Sequence, residues 1–180
     1  SGGEIAYDKP AVLKITAKSG YVLGKLTVDN QVVNLPEGTF DATTKVTTYA
    51  AYTTANLKTA MSINVEFTAK KTVSVSASPL SATRDEIAAD KNLPTVTFTP
   101  SISGQKYQFK NASGTLMDKL PATDGVYTIV ATSPETADYA ALTDESNKFT
   151  ISQANKLSWS VEGEQGTVTA KMGDKDVANG

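Results

Sequence analysis

ATDGVYTIVAT, residues 122–132, sets the turn-forming pair Asp124-Gly125 directly before a run of alternating side chains. Val126, Thr128 and Val130 fall on one face, and Tyr127, Ile129 and Ala131 on the other, the period-two signature of a half-buried strand. A tyrosine buried at the start of such a strand adds apolar area, but its hydroxyl still needs a partner. The loop the chain has just left is the nearest source. The stretch therefore reads as the corner of a β-sandwich, with Asp124, Gly125 and Tyr127 in structural roles.

The same alternation recurs on both sides of this corner. In AVLKITA (11–17), Leu13, Ile15 and Ala17 share a face opposite Lys14 and Thr16. GKLTVDNQVVNL (24–35) carries two short strands around Asp29-Asn30, a pair that tolerates the positive φ of a tight hairpin turn. MSINVEFTA (61–69) alternates again, with Ile63, Val65 and Phe67 expected inward. Further strands occur in TVSVSAS, TVTFTP, QKYQFK, KFTIS, LSWSVEG and GTVTAKM, separated by turn signals such as LPEG, NASG and EGEQG. Short strands at this spacing predict a sandwich or barrel instead of a βαβ fold. Helical signal is thin. YAAYTTANLKTAM (49–61) suits either a turn or two of helix or an irregular, partly extended connection, and RDEIAADKN (84–92) suits one helical turn. Boundaries fall near Val73–Pro79 and Gln153–Lys156, giving units 1–75, 76–153 and 154–180.

Composition narrows the chemistry. The 180 residues are 39% hydrophobic and 20% charged, enough apolar material for folded cores. A net charge of −2 provides no positive field, so nucleic acid is not an expected partner. No stretch approaches ~20 consecutive apolar residues, the length of a membrane-spanning helix. The chain has no cysteine and no histidine, which removes disulfides, thiolate nucleophiles, the commonest general base and the usual zinc ligands. No cofactor is expected. The 19 acids are spread over loops and outward strand faces, and no pair of them sits in a recognisable catalytic motif. Asp174 and Asp176 are spaced like the start of a calcium loop, but the later glutamate is missing, so a solvated turn is expected. Trp159 shares a face with Leu157 and Val161, a core pattern. Tyr49 and Tyr52, in the Thr-rich stretch 42–60, are the candidates for an exposed ligand contact.

Residues 104–152 resemble the bacterial immunoglobulin-like repeats of large surface proteins. Pro121, Gly125 and Tyr127 match a Pro-x-x-x-Gly-x-Tyr run, Asp138-Tyr139 a further element, and Phe149, Thr150 and Ile151 a closing strand. Residues 12–33 are similar to β-rich repeats of bacterial surface proteins, with Gly20, Tyr21, Leu26, Val28 and Asp29 carrying the match. Residues 157–180 resemble the opening hairpin of that second kind of repeat, and the N-terminal stretch SGGEIAYDKPAVLKITAKSGY resembles the part of the repeat that continues from such a hairpin. One repeat is thus split between the two ends, and a hairpin over 157–171 is expected to dock on the first unit, in its own chain or a neighbour. Some Gram-positive surface sandwiches cross-link a Lys to an Asn beside a buried acid. Here Lys14, Asn64 and Glu66 all oppose the apolar faces of their strands, a pattern that speaks against such a bond.

The resemblance implies an all-β chain of tandem immunoglobulin-like sandwich modules with little helix. It further implies a location that is extracellular or on the bacterial cell surface, with neighbouring repeats of the same protein as partners. The expected role is a non-catalytic structural spacer. The alternative is an adhesive or carbohydrate-binding module that meets a host or glycan ligand through 42–60.

Overall fold

The computed structural model describes residues 7–153, 169–172 and 175–179. Most of the described chain is β-strand, arranged in several sheets with one five-residue helix, so the protein is all-β. It divides into two compact units. The first comprises Ser1–Val73 with Ser133–Leu142, and the second Ser74–Thr132 with Thr143–Gly180.

Eight strands build the first unit: β1 (Lys9–Leu13), β2 (Thr16–Ala17), β3 (Tyr21–Val28), β4 (Gln31–Val33), β5 (Thr39–Asp41), β6 (Val46–Thr48), β7 (Tyr52–Leu57) and β8 (Ile63–Ala69). They form three small antiparallel sheets, β1-β7, β2-β6-β5 and β4-β3-β8. Asp29 (φ 48°) and Asn30 (φ 62°) make the two-residue turn between β3 and β4, where short polar side chains tolerate the left-handed conformation. Asp29 also accepts a hydrogen bond from the Ser62 N–H at 2.8 Å, tying this turn to the start of β8. At a bulge in β7, where Thr54 and Ala55 lie opposite Ala11, the Ala11 N–H donates to the buried Thr54 hydroxyl at 2.9 Å, so the irregular backbone keeps a partner. A second bulge falls at Gly24, where a Cβ would lie 2.7 Å from the Thr68 methyl; only glycine allows β3 and β8 to approach this closely.

Of the two alternatives for 49–61, the extended one holds: β7 lies within it, and β-branched threonines favour strands wherever a partner strand is at hand. Two features differ from the sequence expectation. Ile63 and Phe67 are exposed (39% and 43%) instead of inward, because β8 lies at the edge of its sheet. Residues 133–142, contiguous in sequence with the corner strand, belong to the first unit.

The second unit contains β9 (Ser74–Ser78), β10 (Ser81–Thr83), helix α1 (Arg84–Ala88), β11 (Thr95–Thr99), β12 (Lys106–Lys110), β13 (Leu116–Met117), β14 (Gly125–Ser133), β15 (Leu142–Asp144) and β16 (Lys148–Ser152). The larger sheet runs β10-β16-β14-β12-β13, with β15 also pairing β14; β9 and β11 form a separate antiparallel ribbon. Tyr127, Ile129, Phe149 and Ile151 from β14 and β16, with Phe109, Leu120, Ala82 and Ile87, make one apolar cluster, and Ala77 and Val96 of the ribbon pack against it. Full burial of each large apolar side chain contributes about 1.5–3 kcal/mol. Helix α1 begins with a reciprocal cap in which the Thr83 hydroxyl accepts from the Glu86 N–H and the Glu86 carboxylate accepts from the Thr83 N–H. Near the end of the chain, β17 (Thr169–Met172) and β18 (Lys175–Asn179) pair as an antiparallel hairpin with a bulge in β18 at Val177. Residues 157–168 of the expected hairpin lie outside the described residues; in the described one, Met172 pairs with Lys175.

Candidate functional site

Lys70 comes directly after β8 and, by alternation, belongs with Asn64, Glu66 and Thr68 on the polar side of that strand. Its side chain is nevertheless fully buried. The Nζ group donates to Glu135 Oε1 at 2.7 Å and to the Thr136 carbonyl at 2.6 Å, and lies 4.0 Å from the centre of the Phe40 ring. Glu135 is equally enclosed, with a side chain 3% exposed. Its Oε1 also accepts from the Gly20 N–H at 2.7 Å, and its Oε2 accepts from the Ser19 hydroxyl at 2.6 Å. Burial pushes the Glu135 carboxyl up, but the Gly20 amide, the Lys70 ammonium and the Ser19 hydroxyl together outweigh it and hold the group below its ordinary value of 4.5.

The backbone around this pair is tied down as well. The Lys70 N–H donates to the Gly20 carbonyl, the Lys71 N–H to the Asp138 carbonyl, and the Ala140 N–H to the Lys71 carbonyl, each at 2.9 Å. A turn closed by the Thr136 N–H on the Tyr139 carbonyl, and by the Tyr139 N–H on the Thr136 hydroxyl, shapes the segment that presents Glu135. The Lys71 ammonium lies 5.8 Å from the Tyr139 ring centre. Segment 133–142 is thus clasped to residues 19–20 and 70–71 by one buried ion pair and a set of backbone bonds.

Each oxygen of Glu135 accepts at least one hydrogen bond, and the Ser19 hydroxyl is among the donors. Joining Nζ to Cδ as an amide would need a neutral amine and a protonated acid, the state that the hydrogen bonds around Glu135 oppose. Compared with family models, curated proteins and solved structures, the chain matches none. Function rests on the chain's own geometry.

The residues singled out by sequence lie apart from the clasp. The Tyr127 hydroxyl shares a 2.8 Å hydrogen bond with the Thr123 hydroxyl and donates to the Thr123 carbonyl at 3.2 Å, in the loop just before β14. Asp124 pairs with Arg84 at 3.2 Å, and Gly125 lies against the Tyr127 ring, 3.5 Å from where its Cβ would be. Tyr49 is half-buried, with its hydroxyl accepting the Leu23 N–H at 2.7 Å and its ring against Gly38. Tyr52 is half-buried in β7 opposite Leu13. Lys14 is exposed, and Asn64 donates to Glu66 on the surface. Trp159 and Asp174 lie outside the described residues, and Asp176 falls in β18. Among the described residues, no group of three or more acids is placed to hold a metal ion.

Tyr49 also borders a cleft of about 360 Å³ in the first unit, which includes Gly24, Gly38, Thr47 and Asp138. Thr47 is buried, and its hydroxyl has no partner among the described residues. Lys70 and Glu135 had no motif to announce them. The only sequence signal was a lysine continuing a polar strand face and an acid in a Pro-Glu-Thr loop, both of which describe surface positions more often than buried ones.

Proposed function

We propose that the chain is a non-catalytic structural spacer of a bacterial cell-surface or secreted protein, built from immunoglobulin-like sandwich modules. The observation that carries this reading is the buried Lys70–Glu135 clasp. It incorporates segment 133–142 into the first unit, while the chain on either side of that segment builds the second. The chain thus passes between the units at 73/74, 132/133 and 142/143, where a string of simple modules would have one passage. A segment held by desolvated charge yields only when both ions are rehydrated, a property suited to transmitting tension. The corner bond of Tyr127 and the wholly apolar cluster of the second unit support the sandwich reading of that unit.

The alternative, an adhesive or carbohydrate-binding module working through 42–60, has less to build on there. Tyr49 already commits its hydroxyl to the Leu23 amide, and residues 46–48 and 52–57 of the stretch are engaged in strand pairing. Pulling single molecules by their ends tests the spacer reading. The force for the first unfolding event is expected to fall in Glu135→Ala relative to the unaltered chain. An unchanged force, or saturable binding of a glycan by the isolated chain, would overturn it.

A further inference from the structure

Strand β8 pairs with β3 along its length; just past it Lys71 is bridged on the other edge by the segment around Tyr139, but along 63–69 that edge takes no strand among the described residues. Sheet edges that stay unpaired are normally protected by proline, bulges or several charges. β8 has none of these protections: the bulge lies in β3, the strand contains no proline, and Glu66 is its only charged residue. One face of this edge exposes Ile63 and Phe67, and the other carries Asn64, Glu66 and Thr68. At seven residues it is also longer than the other strands that flank open edges of the first unit, such as β4 and β5 with three each.

The same chain carries a matching two-stranded element. The β17–β18 hairpin is a sheet of two strands, with no third strand among the described residues. A two-stranded sheet is marginal in water unless it adds to a larger one.

We infer that β8 accepts the β17–β18 hairpin of a second copy of this chain, by strand addition to the open sheet edge. Main-chain hydrogen bonds along β8 give the affinity, and exposed Ile63 and Phe67 give the added strand an apolar surface to cover. Each molecule offers one donor hairpin and one acceptor edge, so the contact is head-to-tail and propagates into open chains. The inference stands whether the chain serves as a spacer or as an adhesin.

The test uses two variants of the full chain, one ending at Gly166 and lacking the hairpin, the other carrying Ile63→Lys and Phe67→Lys. Sedimentation of the unaltered protein is expected to show mass rising with concentration without a plateau. Either variant alone is expected to stay monomeric, and an equimolar mixture of the two to stop at a heterodimer. In the mixture, amide exchange at residues 63–69 of the truncated partner should slow. Asn64→Lys with Thr68→Lys provides a second edge variant, on the opposite face, should the first lose the fold of the first unit by circular dichroism. A monomer at every concentration, association that survives truncation, or a mixture that fails to pair would overturn the inference. So would a monomer whose residues 63–69 lose protection on truncation, since that places the hairpin on its own chain.

Discussion

In the second unit, Ile129 and Phe149 lie at the centre of an apolar cluster with neither side chain reaching solvent; in the first, a comparably hidden position is filled by the Lys70–Glu135 ion pair. The two centres stabilise by different rules. An apolar cluster loses stability in proportion to the atoms removed, whereas a buried ion pair is conditional: each partner is tolerable only while the other is present. The apolar centre accepts any side chain of fitting shape. The charged one accepts only a segment that brings an acid to the right place, and so specifies which part of the chain completes the first unit.

The largest test of this contrast is Glu135→Ala. It strands the Lys70 ammonium in a buried site and is expected to destabilise the first unit by about 3–5 kcal/mol in denaturant unfolding. The double variant Glu135→Leu with Lys70→Met should recover most of that loss; if it is as unstable as the single variant, the pair is not conditional and the contrast fails. Acid should act in the same direction. The folded Glu135 carboxyl ionises below its ordinary value, so its contribution is complete above about pH 4.5 and is lost as pH falls through the lower folded value. Exchange of the Gly20 amide tracked from neutral pH downward checks this, and protection that persists unchanged through that range would count against it.

Ile129→Ala in the second unit is expected to cost about 2–5 kcal/mol, with no dependence on pH beyond that of the unaltered chain. Ile129→Val should cost only about 0.5–1.5 kcal/mol, the graded response that separates an apolar centre from a charged one. Equal losses in the two variants would remove that distinction. The smallest expected effect is at the corner. Tyr127→Phe removes the bonds to Thr123 and should lower stability by about 1 kcal/mol, visible as a shift in the denaturant midpoint. An unchanged midpoint would make the hydroxyl incidental.

The features legible in the sequence were those fixed by near neighbours. Alternation placed Tyr127, Ile129 and Ala131 on the buried face of β14, the Asp29-Asn30 pair marked its hairpin, and residues 84–92 supplied the single described helix. Features set by distant segments were not legible. Nothing in INVEFTA indicates that β8 ends a sheet, so Ile63 and Phe67 carried a core pattern to an exposed edge. Lys70 and Glu135 are 65 positions apart, and each alone has the look of a solvated charge. Tyr49 and Tyr52 read as available because their stretch lacked a clear period, yet strand pairing and the Leu23 amide engage them.

The assignment of residues 133–142 to the first unit also bears on the order in which the protein is made. A ribosome releases Lys70 long before Glu135 exists, so the nascent first unit must either keep its lysine in water or bury it uncompensated. The first unit cannot reach its final form until most of the second has been synthesised, which reverses the usual rule that the earlier domain folds first. An expression clone cut at Val73 would therefore not yield a domain, but a polypeptide waiting for its counter-ion.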